Sequence, residues 1–433
     1  MAASEPTAST PDATPGEPPA IKGRYIALAM LILVYTLNFL DRQIISILKD
    51  PIAEELKLTD TQLGLMGGLA FALLYTTLAV PIAWFADRRS RVWIMTWSLG
   101  LWSAFTAICG FTNNFIQLFF ARMGVGVGEA GGVAPAYSLI ADYFPPKKRA
   151  RALAIYSFGI PVGSAAGILF GGLLAQYVDW RFAFISIGLF GVLLAPLFRL
   201  LVKDPPRGLY DTKAAGEKPL GFLPVCKLAF AKPTFWLMAF GAAFSSMVGY
   251  GLLYWMPTFL ARSMNMSLVD RSWFLAGVLF IGGVAGMMLG GFLADRLGQK
   301  SKRYYPLIPA IAFLISAPLY VLGVITTDPA IAFFVFLAPQ ALGLVWLGPV
   351  VTAVQHLGPA NSRTMISALF LLINNLIGIA VGTWFFGAMS DYLKPTFGED
   401  SIKYSFIFGL GFYVVAAILL FLASFRIKKD WVD

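Results

Sequence analysis

The stretch FFARMGVGVGEAGGVAPAYSLIADYF, from Phe119 to Phe144, places Arg122 and Glu129 inside an apolar segment long enough to cross a bilayer. On a helix, residues seven apart fall within about 20° of each other and roughly 10 Å apart along the axis, so both charges share one face. A charge at membrane depth costs about 2.5–3.5 kcal/mol even on lenient insertion scales. Such a face therefore points to a lumen or a partner helix rather than to lipid. Gly124, Gly126, Gly128, Gly131 and Gly132 around the two charges let a neighbouring backbone approach closely. Two readings stay open at this point: an ion pair that locks a helix bundle, or a working site.

Composition sets the class. Apolar residues make up 58% of the chain and charged residues 13%, against roughly 45–50% and about 25% in soluble domains, which indicates a polytopic membrane protein. The net charge of +10 does not indicate nucleic acid, because the basic residues sit in short loops between apolar runs instead of clustering with aromatics on one face. Two cysteines, Cys109 at the end of an apolar run and Cys226 in a basic loop, provide no disulfide framework. No cofactor or metal is expected.

Residues 1–21, rich in Ala, Pro, Thr and Glu, read as a disordered tail without the basic and apolar pattern of a secretory leader. Twelve apolar segments follow, near 24–47, 61–85, 92–111, 115–143, 150–177, 181–202, 234–261, 272–295, 304–326, 329–355, 363–390 and 402–425. Each has about the 20 residues a spanning helix needs. The expected domains are a six-helix bundle over 22–202, a cytoplasmic connection over 203–232, a second bundle over 233–426 and a tail over 427–433. Within the connection, LGFLPVCKLAF (Leu220 to Phe230) is either an amphipathic piece on the membrane surface or a plain linker. Lysine and arginine concentrate on the side of the two termini. The opposite side holds Lys49, Lys57, Arg181, Arg262, Arg271, Lys394 and Lys403, with Arg42 and Arg122 in the membrane. That asymmetry puts both termini in the cytoplasm.

The two bundles echo each other. Asp87-Arg88 and Asp295-Arg296 lie 208 residues apart at the same end of the second and eighth segments, and Pro135 and Pro349 lie 214 apart. Parallel six-helix repeats with a site between them describe a carrier better than a channel. Gly291-x-x-x-Asp295-Arg296-x-Gly298-x-Lys300 resembles the signature loop of the major facilitator superfamily, with a degraded first copy that has Ala83 and Ser90 at the glycine positions. NFLDR (Asn38 to Arg42), RMGVGVGEA (Arg122 to Ala130), PAYSLIADYF (Pro135 to Phe144) and IPVGSAAG (Ile160 to Gly167) resemble the spinster branch of that superfamily. The resemblance implies an all-α fold of twelve transmembrane helices in two bundles. It also implies alternating access, and lysolipids or sphingoid-base phosphates as the substrate class of the animal members. For a bacterial member it implies a multi-pass protein of the inner membrane.

Four charges face the expected lumen. Counting along antiparallel helices puts Asp41, Arg42 and Arg122 at similar depth and Glu129 two turns nearer the cytoplasm. Asp41 is expected to pair with Arg122, since an unpaired charge there would be costly. Glu129 is left without a fixed partner and so free to exchange a proton as an arginine approaches or leaves. Asp41 and Arg42 could instead cap a bend near the helix end. The second bundle adds no intramembrane charge but offers Tyr250, Tyr254, Trp255, Phe370, Asn374 and Asn375, and the repeat maps Arg42 onto Tyr250. Asp87, Arg88, Asp295 and Arg296 mark helix ends and suit gating, whereas His356 suits a satisfied interfacial role. Stripes of glycine four apart, Gly159, Gly163, Gly167 and Gly171 on the fifth segment and Gly282, Gly286 and Gly290 on the eighth, are expected to form a sliding surface between the bundles. GVGVGE lies inside a spanning segment with no strand before it, so it is no dinucleotide loop.

The sequence thus predicts a monomeric, proton-coupled carrier of an anionic amphiphile. Glu129 and Asp41 are the expected proton sites, and Arg122, Arg42, Tyr250, Tyr254, Asn374 and Asn375 the expected substrate contacts. A carrier of small organic anions or a drug efflux antiporter is the alternative within the class. A fixed pore would not use a repeat that rocks, and a lipid enzyme would need a nucleophile–base pair that the lone histidine does not supply.

Overall fold

The computed structural model describes residues 21–432 apart from 87, 208–209, 211–221 and 360–361. Asp87 and most of the expected N-terminal tail lie outside the described residues. Every regular element among the described residues is a helix. Ten helical stretches are long and apolar enough to cross a membrane. The fourth span is missing from that number because it is two short helices, Phe115–Glu129 and Val133–Tyr143. The eleventh and twelfth run on as one stretch, Met365–Asp430. The others are the first (Arg24–Leu56), second (Asp60–Ala86), third (Arg91–Cys109), fifth (Arg151–Tyr177), sixth (Trp180–Leu201), seventh (Pro233–Arg262), eighth (Leu268–Gly298), ninth (Tyr304–Ile325) and tenth (Pro329–Gln355).

Three spans depart from a continuous helix where the lumen lies. The fourth breaks directly after Glu129, where Gly131 and Gly132 close onto the carbonyls of Gly128 and Glu129 three residues back at 3.3 and 3.0 Å. Gly-Gly with Pro135 close behind favours this tightening over regular helix. The second span breaks at Gly68, between Asp60–Gly67 and Leu69–Ala86. The eleventh widens into a π-turn over Leu376–Val381, a distortion that recurs at functional sites. In the connection, Phe222–Phe230 is a helix that buries Val225 and Ala229 and exposes Leu223. The buried face of this helix packs on the protein core. The last helix runs to Asp430, whose carboxylate and carbonyl receive Thr234 Oγ1 and Lys232 Nζ at 2.5 and 2.7 Å.

The glycine stripes do not form the expected sliding surface. A Cβ at Gly159, Gly163, Gly167 or Gly171 would strike Tyr35, Thr36, Leu40 or Ile44 of the first span, inside the same half. One at Gly282, Gly286 or Gly290 would strike Gln340, Ala341 or Val345 of the tenth. The fifth and eighth spans do meet across the halves, but through other faces, where Gly172 abuts Ser272 and Gly283 abuts Pro161. The stripes serve close packing within each half.

The halves touch most intimately at the end away from the termini. There the glycines that matter are Gly64, Gly67 and Gly68 of the second span. A side chain at Gly67 would overlap the Tyr254 ring, and one at Gly68 would overlap Thr383 Oγ1 of the eleventh span.

Candidate functional site: a charged cavity between the halves

Successive residues on a helix point about 100° apart, and that separates Asp41 from Arg42. Arg42 faces the second and fourth spans, and its Nε donates to Glu129 Oε2 at 2.7 Å. Its guanidinium also stands 5.1, 4.9 and 4.5 Å from the ring centres of Phe39, Phe71 and Tyr75. Cation–π contacts of this kind are worth about 0.5–2 kcal/mol each. In this conformation, Arg42 is the arginine that meets Glu129.

The expected Asp41–Arg122 ion pair is not formed. Arg122 Nη1 approaches the main-chain carbonyl of Asp41 at 3.5 Å, while both Asp41 carboxylate oxygens hydrogen-bond to nothing. That carboxylate turns instead toward Thr106 and Trp102 of the third span. The close approach of third and fourth spans follows from the glycines: a Cβ at Gly124 would overlap Phe105, and one at Gly128 would sit 2.5 Å from the Trp102 nitrogen.

A cavity of about 50 Å³ opens beside the pair, between Arg42, Arg122, Phe39 and Phe71 of one half and Tyr250, Tyr254, Ile379 and Thr383 of the other. Arg42 and Tyr250, related by the repeat, both line this cavity, one from each half. Aromatic rings line both sides, so the expected split into one charged and one aromatic wall is incomplete. Tyr254 offers its ring only, because its hydroxyl donates to Leu63 O at 2.8 Å. Asn374 is committed elsewhere, accepting from Ser246 Oγ at 2.9 Å and donating to Asn375 Oδ1 at 3.3 Å. Neither asparagine lines the cavity; they sit just ahead of the π-turn that carries Ile379. Trp255 is fully buried and donates to Thr383 O at 2.8 Å, and Phe370 packs on Trp346.

Behind the cavity, buried polar atoms without a hydrogen-bond partner concentrate on Asn38, Asp41, Trp102, Ser103, Thr106, Arg122 and Glu129. Native interiors leave few such atoms, so their gathering around two carboxylates marks a place that changes its bonding. The lone titratable groups in the sequence suggested Asp41, Arg122 and Glu129. Asn38 was visible only as the first residue of NFLDR, and Trp102 and Thr106 escaped notice because nothing in a single apolar segment distinguishes them.

At the end away from the termini, the carboxylates that join the halves are bonded on both oxygens, while Arg271 Nε stays unpaired. Asp60 receives Arg262 at 2.6 and 2.8 Å and Ser390 at 2.8 Å. Asp50 receives Thr258 at 2.6 Å and Arg271 at 2.8 Å, and Asp391 receives the Thr61 amide at 2.7 Å. At the opposite end, Arg91 joins Asp142 of the fourth span and Asp204 of the connection. Burial pushes the Asp204 carboxyl up, but bonds from Ser90 and Arg91 outweigh it and hold the group below the usual carboxylate range. Arg88 stacks on Trp84 at 3.8 Å and Arg296 lies 5.7 Å from the Phe292 ring, while Asp295 is exposed. These gating candidates stand apart from the cavity. His356 Nδ1 meets Thr352 O at 2.9 Å and stacks on Trp431.

The Major Facilitator Superfamily model matches residues 31–383. An MFS-type efflux pump of Mycolicibacterium smegmatis is 33% identical over 94% of this chain and 94% of its own length. Protein spinster homolog 3 of Danio rerio is 26% identical over 97% of this chain and 89% of its own. Among solved structures, a bacterial homolog of the human lysosomal transporter Spinster, inward-facing and unoccupied, superposes with a TM-score of 0.86 at 32% identity, covering 96% of this chain and 100% of that one.

Proposed function

The chain belongs to the major facilitator superfamily as a multi-pass membrane transporter of spinster type, not an enzyme, and from that premise we propose that it moves an anionic amphiphile such as a lysophospholipid or sphingoid-base phosphate coupled to protons. The observation that carries this reading is the Arg42–Glu129 pair at the wall of a cavity shared with Arg122 and Tyr250. An anionic head group that draws Arg42 away leaves Glu129 buried without its counter-charge. A carboxylate so stranded is relieved by taking a proton. Conversely, deprotonation recaptures Arg42 and weakens the hold on the head group. Asp41, buried beside Arg122, is the second proton site in this scheme. Arg88, Asp295 and Arg296, with Asp87, would gate the cytoplasmic end. The Lys and Arg asymmetry puts both termini in the cytoplasm of a bacterial inner membrane, which makes the sealed end periplasmic and this conformation inward-facing.

The test is uptake into proteoliposomes of matched lysolipids with anionic and zwitterionic heads under an imposed pH gradient. Gradient-dependent movement of the anionic lipid, lost on collapsing the gradient, is expected. Transport indifferent to pH would overturn proton coupling. The efflux-pump name of the 33% identical relative favours a second reading, a carrier of small organic anions or drugs. Movement of such anions with no lysolipid transport would establish it.

A further inference from the structure

Lys49 is 0% exposed, on the interface between the halves, and no carboxylate among the described residues pairs with it. Its ammonium donates to Ser46 O at 2.8 Å and otherwise lies against the rings of Tyr254 and Trp255, 5.2 and 5.3 Å from their centres. The two carboxylates whose charge reaches it, Asp50 and Asp60, are already committed: Asp50 to Arg271 and Thr258, Asp60 to Arg262 and Ser390. Buried charges are normally paired, since aromatic contact alone does not replace the lost hydration. A cation left this way is held ready for something that arrives in another state.

The neighbourhood shows what arrives. Lys49 lies seven residues beyond Arg42 on the first span, hence on the same face and roughly 10 Å further toward the sealed end. Between them stands Tyr254. Its ring lines the cavity with Arg42 and Arg122 and also covers the Lys49 ammonium, and its hydroxyl is tied to Leu63 O of the second span. Parting the second and seventh spans, as opening that end requires, breaks this tie and removes the screen.

We infer that Lys49 is a second anion station on the transport path, screened by Tyr254 while the end away from the termini is shut and offered to the head group when that end opens. This rests on the anionic-substrate reading above. The head group then passes from Arg42 to Lys49 along one helix face, and Arg42 is released to return to Glu129.

The probes are lysophosphatidic acid and lysophosphatidylcholine of equal chain length, each measured for binding and for transport with wild type, Lys49→Met and Lys49→Arg. Methionine keeps the length and suits the aromatic cage, so folding is expected to hold. Lys49→Met should cut transport of the anionic lipid about tenfold and leave its binding in the shut state, where the screen is closed, within twofold. The zwitterionic lipid should be little affected, and Lys49→Arg should keep the anionic preference. Loss of both lipids' transport in equal proportion would make Lys49 structural and overturn the inference. Anionic transport that survives in Lys49→Met at more than half the wild-type rate would also overturn it. A wild type that neither binds nor moves either lipid would instead overturn the substrate reading itself.

Discussion

Two charged regions of this chain differ in how completely they are bonded. At the sealed end, each oxygen of Asp50 and Asp60 receives at least one donor, and the donors come from the other half of the molecule. Beside the cavity, Glu129 Oε1, Arg42 Nη2, Arg122 Nε and both oxygens of Asp41 receive or give nothing, and the ion pair there stays within a single half. A satisfied pair fixes an arrangement, whereas an unsatisfied one can exchange partners at small cost. On the proposed reading, the seal sets which end is shut and the cluster beside the cavity responds to what binds.

Breaking the seal should have the largest effect. Arg262→Ala strands the buried Asp60 carboxylate, and removing one partner of a buried pair costs about 3–5 kcal/mol. The expected result is a clear drop in thermal stability and solvent access at the sealed end, read by labelling a cysteine placed at Thr61. Unchanged access would mean the ion pairs are not what shuts that end. A bulkier test leaves charge alone: Gly68→Val collides with Thr383 and should abolish closure, reducing transport at least tenfold while the protein stays folded.

The cavity side is sharpened by two double-mutant cycles. Arg42 and Glu129, in direct contact, should couple within the range of about 0.5–3 kcal/mol for interacting pairs, read from the stability of Arg42→Gln, Glu129→Gln and the double variant. Asp41 and Arg122 should couple more weakly, because the guanidinium reaches a main-chain carbonyl and not the carboxylate. Equal coupling in both cycles would erase the distinction drawn here.

Much of this was legible in the chain. The apolar runs, the Lys and Arg asymmetry and the 208-residue repeat marked the spans and the halves, because each is a property of whole segments. Of the residues that line the cavity, Arg42, Arg122, Tyr250 and Tyr254 were also in view, with Glu129 behind them. Which arginine meets Glu129 was not, since depth along a helix leaves the direction of neighbouring side chains undecided between Asp41 and Arg42. The glycine stripes misled for a related reason: four-residue spacing shows that a close neighbour exists without showing which. Gly64 and Gly68 show the same four-residue spacing, yet with Gly67 they make a contact between the halves. Asn374 and Asn375 looked like cavity residues by their polarity, but Ser246 and a π-turn account for them.

The smallest expected effect is one of pH at the opposite end. Asp204 has a depressed value in the fold, so its bonds to Ser90 and Arg91 stabilise fully above the unfolded value of about 4 and are lost as pH falls through the folded one. Melting temperature should fall at acid pH with a shallower slope in Asp204→Asn. Identical slopes would remove Asp204 from that network.

The central claim, that the half-bonded Glu129 couples an anionic head group to a proton, is tested most directly by Glu129→Gln in proteoliposomes. The expected result is a folded variant that still binds the anionic lysolipid through Arg42 and Arg122 and equilibrates it, yet no longer accumulates it when a pH gradient is imposed. Uphill accumulation driven by the proton gradient alone in Glu129→Gln would contradict it.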